Sequence, residues 1–160
     1  MMKIKIIAMG KLKEKYLREA MAEYEKRLSS LCEFEVIELD PVRLPDNPTN
    51  GEKEAALKRE ADLITAKIPK NTQVVAMCIE GKQLTSEELG EFFATGASFG
   101  QSNITFIIGS SYGLDDSIKQ TAAVKLSMSK MTFPHQLARV MLAEQIYRAF
   151  KINTGGTYHK

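Results

Sequence analysis

The sequence predicts an α/β fold: a mainly parallel sheet flanked by helices on both faces. Apolar, β-branched runs recur along the chain with the length of buried strands. Stretches with helical periodicity fill the gaps between them, and this strand–helix alternation is the pattern of a covered parallel sheet. The first run is Ile4 to Met9. Tyr16, Leu17, Ala20, Met21, Tyr24 and Leu28 then form one helical stripe. A second strand is predicted over Phe34 to Leu39, and the Pro/Asn/Gly-rich stretch Asp40 to Gly51 reads as a mobile surface loop within the domain. Ala56, Leu57, Ala61, Ile64 and Ile68 form the next stripe, followed by a strand over Val74 to Ile79. Thr85 and Glu88 make a capping box that starts a helix carrying Leu89, Phe92 and Phe93. A fourth strand covers Ile104 to Ile108, a short helix Asp115 to Thr121, and a weaker strand Ala123 to Met128. The last helix runs from Pro134 to Ile152, with Pro134 in its first turn and Thr132 or Phe133 at the cap. Its stripe of Leu137, Val140, Met141, Tyr147 and Phe150 is broadened by Leu142 and Ile146. Burial against a second copy of the chain satisfies so wide a stripe, and so does a central position in the monomer.

The 160 residues form one domain, 1–160, of ordinary globular composition, with 44% apolar and 26% charged residues. The N-terminal apolar run is short and interrupted by lysines, which argues against a signal peptide or a membrane span. Cys32 and Cys78 have no second Cys or His at metal-ligand spacing, so no metal is expected and both read as free thiols in a reducing, cytoplasmic setting. The net charge of +2 does not by itself announce a nucleic-acid partner. From Lys125 onward, however, Lys125, Lys130, Arg139, Arg148, Lys151 and Lys160 face a single acidic residue, Glu144. A basic end suits a polyanionic substrate. Cations favoured near a helix C-terminus explain Arg148 and Lys151 nearly as well.

Ligands of parallel sheets bind at the carboxyl ends of strands, where glycines allow close backbone approach. Three strand ends have the right character: Met77 to Gly81, Gly109 to Leu114 and Met128 to Pro134. The sequence GSSYG from Gly109 is neither a dinucleotide fingerprint nor a Walker loop, and a tight turn explains its glycines as well as a binding role does. The last of the three ends runs into a helix N-terminus, whose free amides favour an anion. Both histidines, His135 and His159, lie in the last 35 residues. His135 in a first helical turn reads as a locally bonded side chain. Tyr158, His159 and Lys160 fit no periodicity and gather a phenol, an imidazole and an ammonium at the chain end, groups suited to proton transfer and anion stabilisation. A serine triad is not indicated, because there is no GxSxG elbow.

Taken together, FIIGSSYGL from Phe106, LSMSKMTFPHQLARVMLAEQIYRA from Leu126 and the terminal YHK resemble one family. It is the ribosomal RNA large subunit methyltransferase H family, pseudouridine-N3 methyltransferases of the trefoil-knotted SPOUT class. The similarity spans the chain from KIKIIAMGKLKEKY to the last residue. It implies a deep C-terminal trefoil knot, although chains generally avoid threading their own loops. S-adenosylmethionine is implied as methyl donor, with a homodimer whose pockets lie near the subunit interface. The implied acceptor is pseudouridine in the helix 69 loop of 23S rRNA, within the assembled ribosome. By motif position, cofactor contacts fall at Met77, Gly109, Met128, Ser129, Lys130, Met131, Thr132 and Phe133, and the activity-linked residues are Arg148, Tyr158 and His159. Two positions depart from the family pattern: Ser110 stands where a second glycine is common, and Thr157 where a proline is. Ser110 is expected to narrow the pocket if its backbone needs a glycine-only conformation, and Thr157 to leave the tail less rigid. Two other readings are a non-catalytic α/β module binding a nucleotide or RNA, and a SPOUT enzyme acting on tRNA.

Overall fold

A computed structural model describes residues 1–160 as ten alternating elements. They are β1 (Lys3–Met9), α1 (Lys15–Leu28), β2 (Glu33–Leu39), α2 (Asn50–Thr65), β3 (Gln73–Gln83), α3 (Ser86–Ser98), β4 (Asn103–Ile108), α4 (Asp116–Thr121), β5 (Val124–Ser127) and α5 (His135–Asn153). The strands form one sheet in the order β2-β1-β4-β3-β5, and every pairing is parallel. Strand periodicity divides the interior into two cores. Ile4, Ile6 and Ala8 of β1 and Ile104, Phe106 and Ile108 of β4 pack with Leu17 and Met21 of α1, Phe93 of α3 and Leu142 and Ile146 of α5. On the other face Ile7, Met9, Ala76 and Ile107 meet Ala61 and Ile64 of α2 and Ile118 of α4. Central strands covered on both faces need apolar side chains at successive positions, which is why these runs stand out in the sequence.

Three boundaries differ from the sequence expectation. The helix α2 begins at Asn50, so the surface loop ends at Thr49, whose side chain accepts the Glu52 amide at 3.1 Å while Glu52 accepts the Thr49 amide at 3.1 Å. This is the same capping box as at Thr85, placed after a run of prolines and asparagines that obscured it. Strand β3 continues to Gln83 instead of ending at Ile79. Pro134 is the extended cap of α5, not a member of its first turn, and offers no side-chain hydrogen bond to the exposed amides.

The buried face of α5 is centred on Leu142, Ala143, Ile146 and Ala149, while Leu137 stays 39% exposed and Met141 and Tyr147 lie at its edge. Its most buried polar residue is Arg139, only 1% exposed. The guanidinium donates to Glu38 Oε2 at 2.5 Å and to the Gly10 carbonyl at 2.8 Å. Glu38 also accepts the Leu12 amide at 3.3 Å. Arg139 is therefore an internal tether between α5 and the ends of β1 and β2, and it does not belong to a free basic surface. The two thiols are unpaired, and burial pushes Cys32 up to about 12. Removing one partner of a buried pair leaves the other uncompensated. Arg139→Ala should accordingly lower stability by about 3 kcal/mol, the low end of the usual cost because Glu38 keeps some solvent. Urea unfolding reads this as a lower midpoint at unchanged m.

Candidate functional site

Because β4, β3 and β5 are neighbours, their carboxyl ends open into one cavity of about 670 Å³. Met77, Gly109, Met128, Ser129, Met131, Thr132 and Phe133 all line it. Lys130 is exposed and is not among the lining residues. Backbone packing sets the walls. A Cβ on Gly109 would lie 2.2 Å from the Gly113 carbonyl oxygen, so only glycine fits the turn that closes with the Gly113 amide donating to the Ser110 carbonyl at 2.8 Å. Ser110 itself needs no positive φ, since Asn71 is the only non-glycine residue with one, and its hydroxyl donates to Glu60 Oε1 at 2.8 Å. The condition for Ser110 to narrow the pocket, a glycine-only backbone conformation, is therefore not met, and the position that lacks room for a side chain is the preceding Gly109.

The opposite wall comes from an irregularity in β3. Leu126 of β5 pairs with both Met77 and Lys82, so Cys78 to Gly81 loop out between them. A Cβ on Gly81 would meet the Leu126 backbone at 2.8 Å. The displaced segment puts Cys78, Ile79 and Glu80 on the cavity, and Glu80 forms an ion pair with Lys119 of α4. The sequence marks Met77 to Gly81 as a candidate strand end, but the bulge and the ion pair are not legible in it beyond a glycine inside a strand pattern. The floor is the turn into α5. Ser127 Oγ donates to the Ser129 carbonyl at 2.9 Å, and Ser129 Oγ accepts the Met131 amide at 3.0 Å. His135 also lines the cavity, and desolvation, then the charges of Arg139 and Lys13, hold its imidazole below the usual range.

Arg148, Tyr158 and His159 form a second group, away from that cavity. Gly155, at φ +72°, and the Gly156 amide bonding to the Lys151 carbonyl at 3.0 Å end α5 and turn the chain back along it. Tyr158 then stacks edge-on against Tyr147, with ring centroids 4.9 Å apart, and its hydroxyl donates to Glu144 at 3.2 Å. Arg148 lies 4.8 Å from the Tyr158 ring centroid and donates to Glu144 through Nε at 2.9 Å. Its Nη1 also meets His159 Nδ1 at 3.1 Å, while His159 Nε2 meets Glu87 at 2.7 Å. A guanidinium can only donate, so Nδ1 accepts and Nε2 carries the proton directed at Glu87. Desolvation, then the Glu144 charge, pushes the Tyr158 phenol up, so it remains a donor. Between the two groups is a cavity of about 500 Å³ lined by Ser127 and Met128 on one side and by Ser86 and Glu144 on the other. The two clusters thus flank the end of β5.

No group of three or more His, Cys, Asp or Glu side chains is placed to hold a metal ion, and no helix is long and apolar enough to cross a membrane.

Residues 2–159 match a family model described as predicted SPOUT methyltransferase. The chain is 50% identical over 159 residues to ribosomal RNA large subunit methyltransferase H of Streptococcus uberis and, over the same length, to that of Streptococcus suis. It is 48% identical to ribosomal RNA large subunit methyltransferase H 1 of Clostridium perfringens. Each comparison covers 99% of this chain and 100% of the relative.

The depressed His135 pKa has a signed consequence. The unfolded chain takes up a proton near the ordinary histidine value of 6.5, whereas the folded protein does so only at lower pH. The resulting stability is present above pH 6.5 and is lost as pH falls through the folded value. Urea midpoints measured from pH 7.5 down to 5.5 should fall, and His135→Gln should flatten that slope.

Proposed function

The chain belongs to the ribosomal RNA large subunit methyltransferase H family of the SPOUT class, and from that membership we propose that it methylates N3 of a pseudouridine in the helix 69 loop of 23S rRNA. In this reading S-adenosylmethionine is the donor, the assembled ribosome the substrate, and the cytoplasm the setting. The observation that carries it is the convergence of three parallel strand ends on one cavity, lined by seven of the eight residues expected to bind the cofactor.

The residues present fit such a cofactor. The cavity is within the size range of small-molecule sites, and Met77, Ile108, Leu114, Leu126 and Met128 supply apolar surface for an adenine ring. Gly113, with nothing within 4 Å of where a Cβ would stand, leaves its backbone open to close approach, and the uncapped amides at the start of α5 suit a carboxylate. When bound, the cofactor supplies an electrophilic methyl on a sulfonium centre.

The protein's own part is to position the acceptor and take the N3 proton. Arg148 is suited to a phosphate or a uracil oxygen, Tyr158 to stacking or positioning the base, and His159 to receiving the proton. As folded here, the one basic nitrogen of neutral His159 is covered by Arg148. An RNA phosphate competing for Arg148 would uncover it, making the proton acceptor available only when substrate is present.

The half-exposed edge of α5 at Leu137 and Met141 supports a homodimer, although the tail here packs on its own α5 and α3. A trefoil knot is the expected topology. The chain leaves β4, passes to the outer edge of β3 as β5, and returns as α5 to pack on α1 and α3.

Saturating S-adenosylmethionine, at about 100 times its dissociation constant, should raise stability by roughly 2.7 kcal/mol. No stabilisation would remove the cofactor reading. In single turnovers on ribosomes, His159→Ala should slow methylation of the bound complex about 100-fold or more. A defect confined to affinity would make the tail an RNA clamp.

A further inference from the structure

Helix α2 carries none of the residues expected from the sequence to act, yet it supports the glycine turn that walls the cavity. Glu60 on that helix is buried, with 4% of its surface exposed. Its Oε1 accepts the Ser110 hydroxyl at 2.8 Å and its Oε2 accepts the Val42 backbone amide at 3.0 Å. One carboxylate therefore serves two segments, the Gly109–Gly113 turn and the loop 40–49. Burial of a carboxylate is costly unless its oxygens are bonded. Both of these bonds leave the helix, so they fix other parts of the chain relative to α2. One weaker hold lies beside them: Lys53 Nζ lies 5.1 Å from the ring centroid of Tyr112.

We infer that Glu60 is a positioning residue for the strand-end cavity, fixing the Gly109–Gly113 turn through Ser110 and tying it to the loop 40–49 through Val42. The role rests on the reading of that cavity as the methyl-donor site. Ser110 thereby acquires a task of its own: its hydroxyl anchors the wall to α2. The chemistry of the clamp distinguishes substitutions. An amide only donates, so Val42 needs an oxygen, whereas the Ser110 hydroxyl can turn to accept as well as donate. Glutamine meets both demands and alanine meets neither.

The test compares Glu60→Ala, Glu60→Gln and Ser110→Ala with the parent protein. Steady-state kinetics on ribosomes should show the KM for S-adenosylmethionine raised about 5- to 20-fold in the two alanine variants, kcat changed about twofold or less, and Glu60→Gln close to the parent. Amide hydrogen exchange on ligand-free protein should be faster at Ser111 to Gly113 in the alanine variants and near normal in Glu60→Gln. Ser110→Ala removes only one hydroxyl and keeps the comparison decisive if Glu60→Ala does not fold. A lowered melting temperature with unchanged KM and unchanged exchange in the turn would overturn the assignment and leave Glu60 a purely structural residue. If the parent protein binds no S-adenosylmethionine, the cofactor reading fails, and the ligand-free exchange comparison alone still decides whether Glu60 holds the turn.

Discussion

The arrangement depends most on the tether from Arg139 to Glu38 and the Gly10 carbonyl. Helix α5 starts from Pro134, a cap that can offer its amides no side-chain hydrogen bond, so its entry is not fixed locally. A buried guanidinium one turn further on fixes it from the sheet. Buried ion pairs contribute little net stability compared with apolar packing, but their geometry is demanding. Here that geometry places the first turn of α5 over the ends of β1 and β2. The Ser127–Pro134 turn hangs between β5 and that helix, so the tether indirectly sets the floor of the cavity. His135, one turn before Arg139, is desolvated and feels the guanidinium charge, and both hold its imidazole low.

A second constraint is the lack of space at two glycines. Gly81 lies against the backbone of β5, and Gly109 against the carbonyl of Gly113. The first lets the end of β3 lie close against β5, where Cys78 to Gly81 leave the ladder to form a wall of the cavity, and the second lets the 109–113 turn close tightly on the other side. The two layers of helices then divide the work. On one face, α5 supplies the turn below the cavity and, at its far end, the platform on which the tail folds. On the other, α2 and α4 support the cavity walls through Glu60 and Lys119. The end of β5 is shared by the large cavity and the one leading to Glu144, and methyl donor and acceptor would meet beside it.

The sequence shows what periodicity and caps encode, namely the order of strands and helices, the Thr85 box and the three strand ends that share a cavity. Features that depend on long-range pairing were hidden. Arg139 looked like one more cation at a basic end because its carboxylate partner is 101 residues away. Glu60 and Ser110 are 50 residues apart, and on a helix surface a glutamate ordinarily reads as solvated. The length of β3 was obscured because its bulge interrupts the apolar run, and the start of α2 because a capping box follows a proline-rich loop. The family pattern raises a glycine-only backbone at Ser110, one residue after the glycine that lacks room. The family's tail residues do gather, but only the fold shows that Glu144 and Glu87 hold them together.

Hydrogen-exchange mass spectrometry of the intact protein, with and without S-adenosylmethionine, tests the central claim most directly. The account predicts protection at 109–113 and 128–135, in segments far apart in sequence that line the same cavity, with little change at 157–160 in the absence of RNA. Protection confined to the tail, or none at the strand ends, would contradict it.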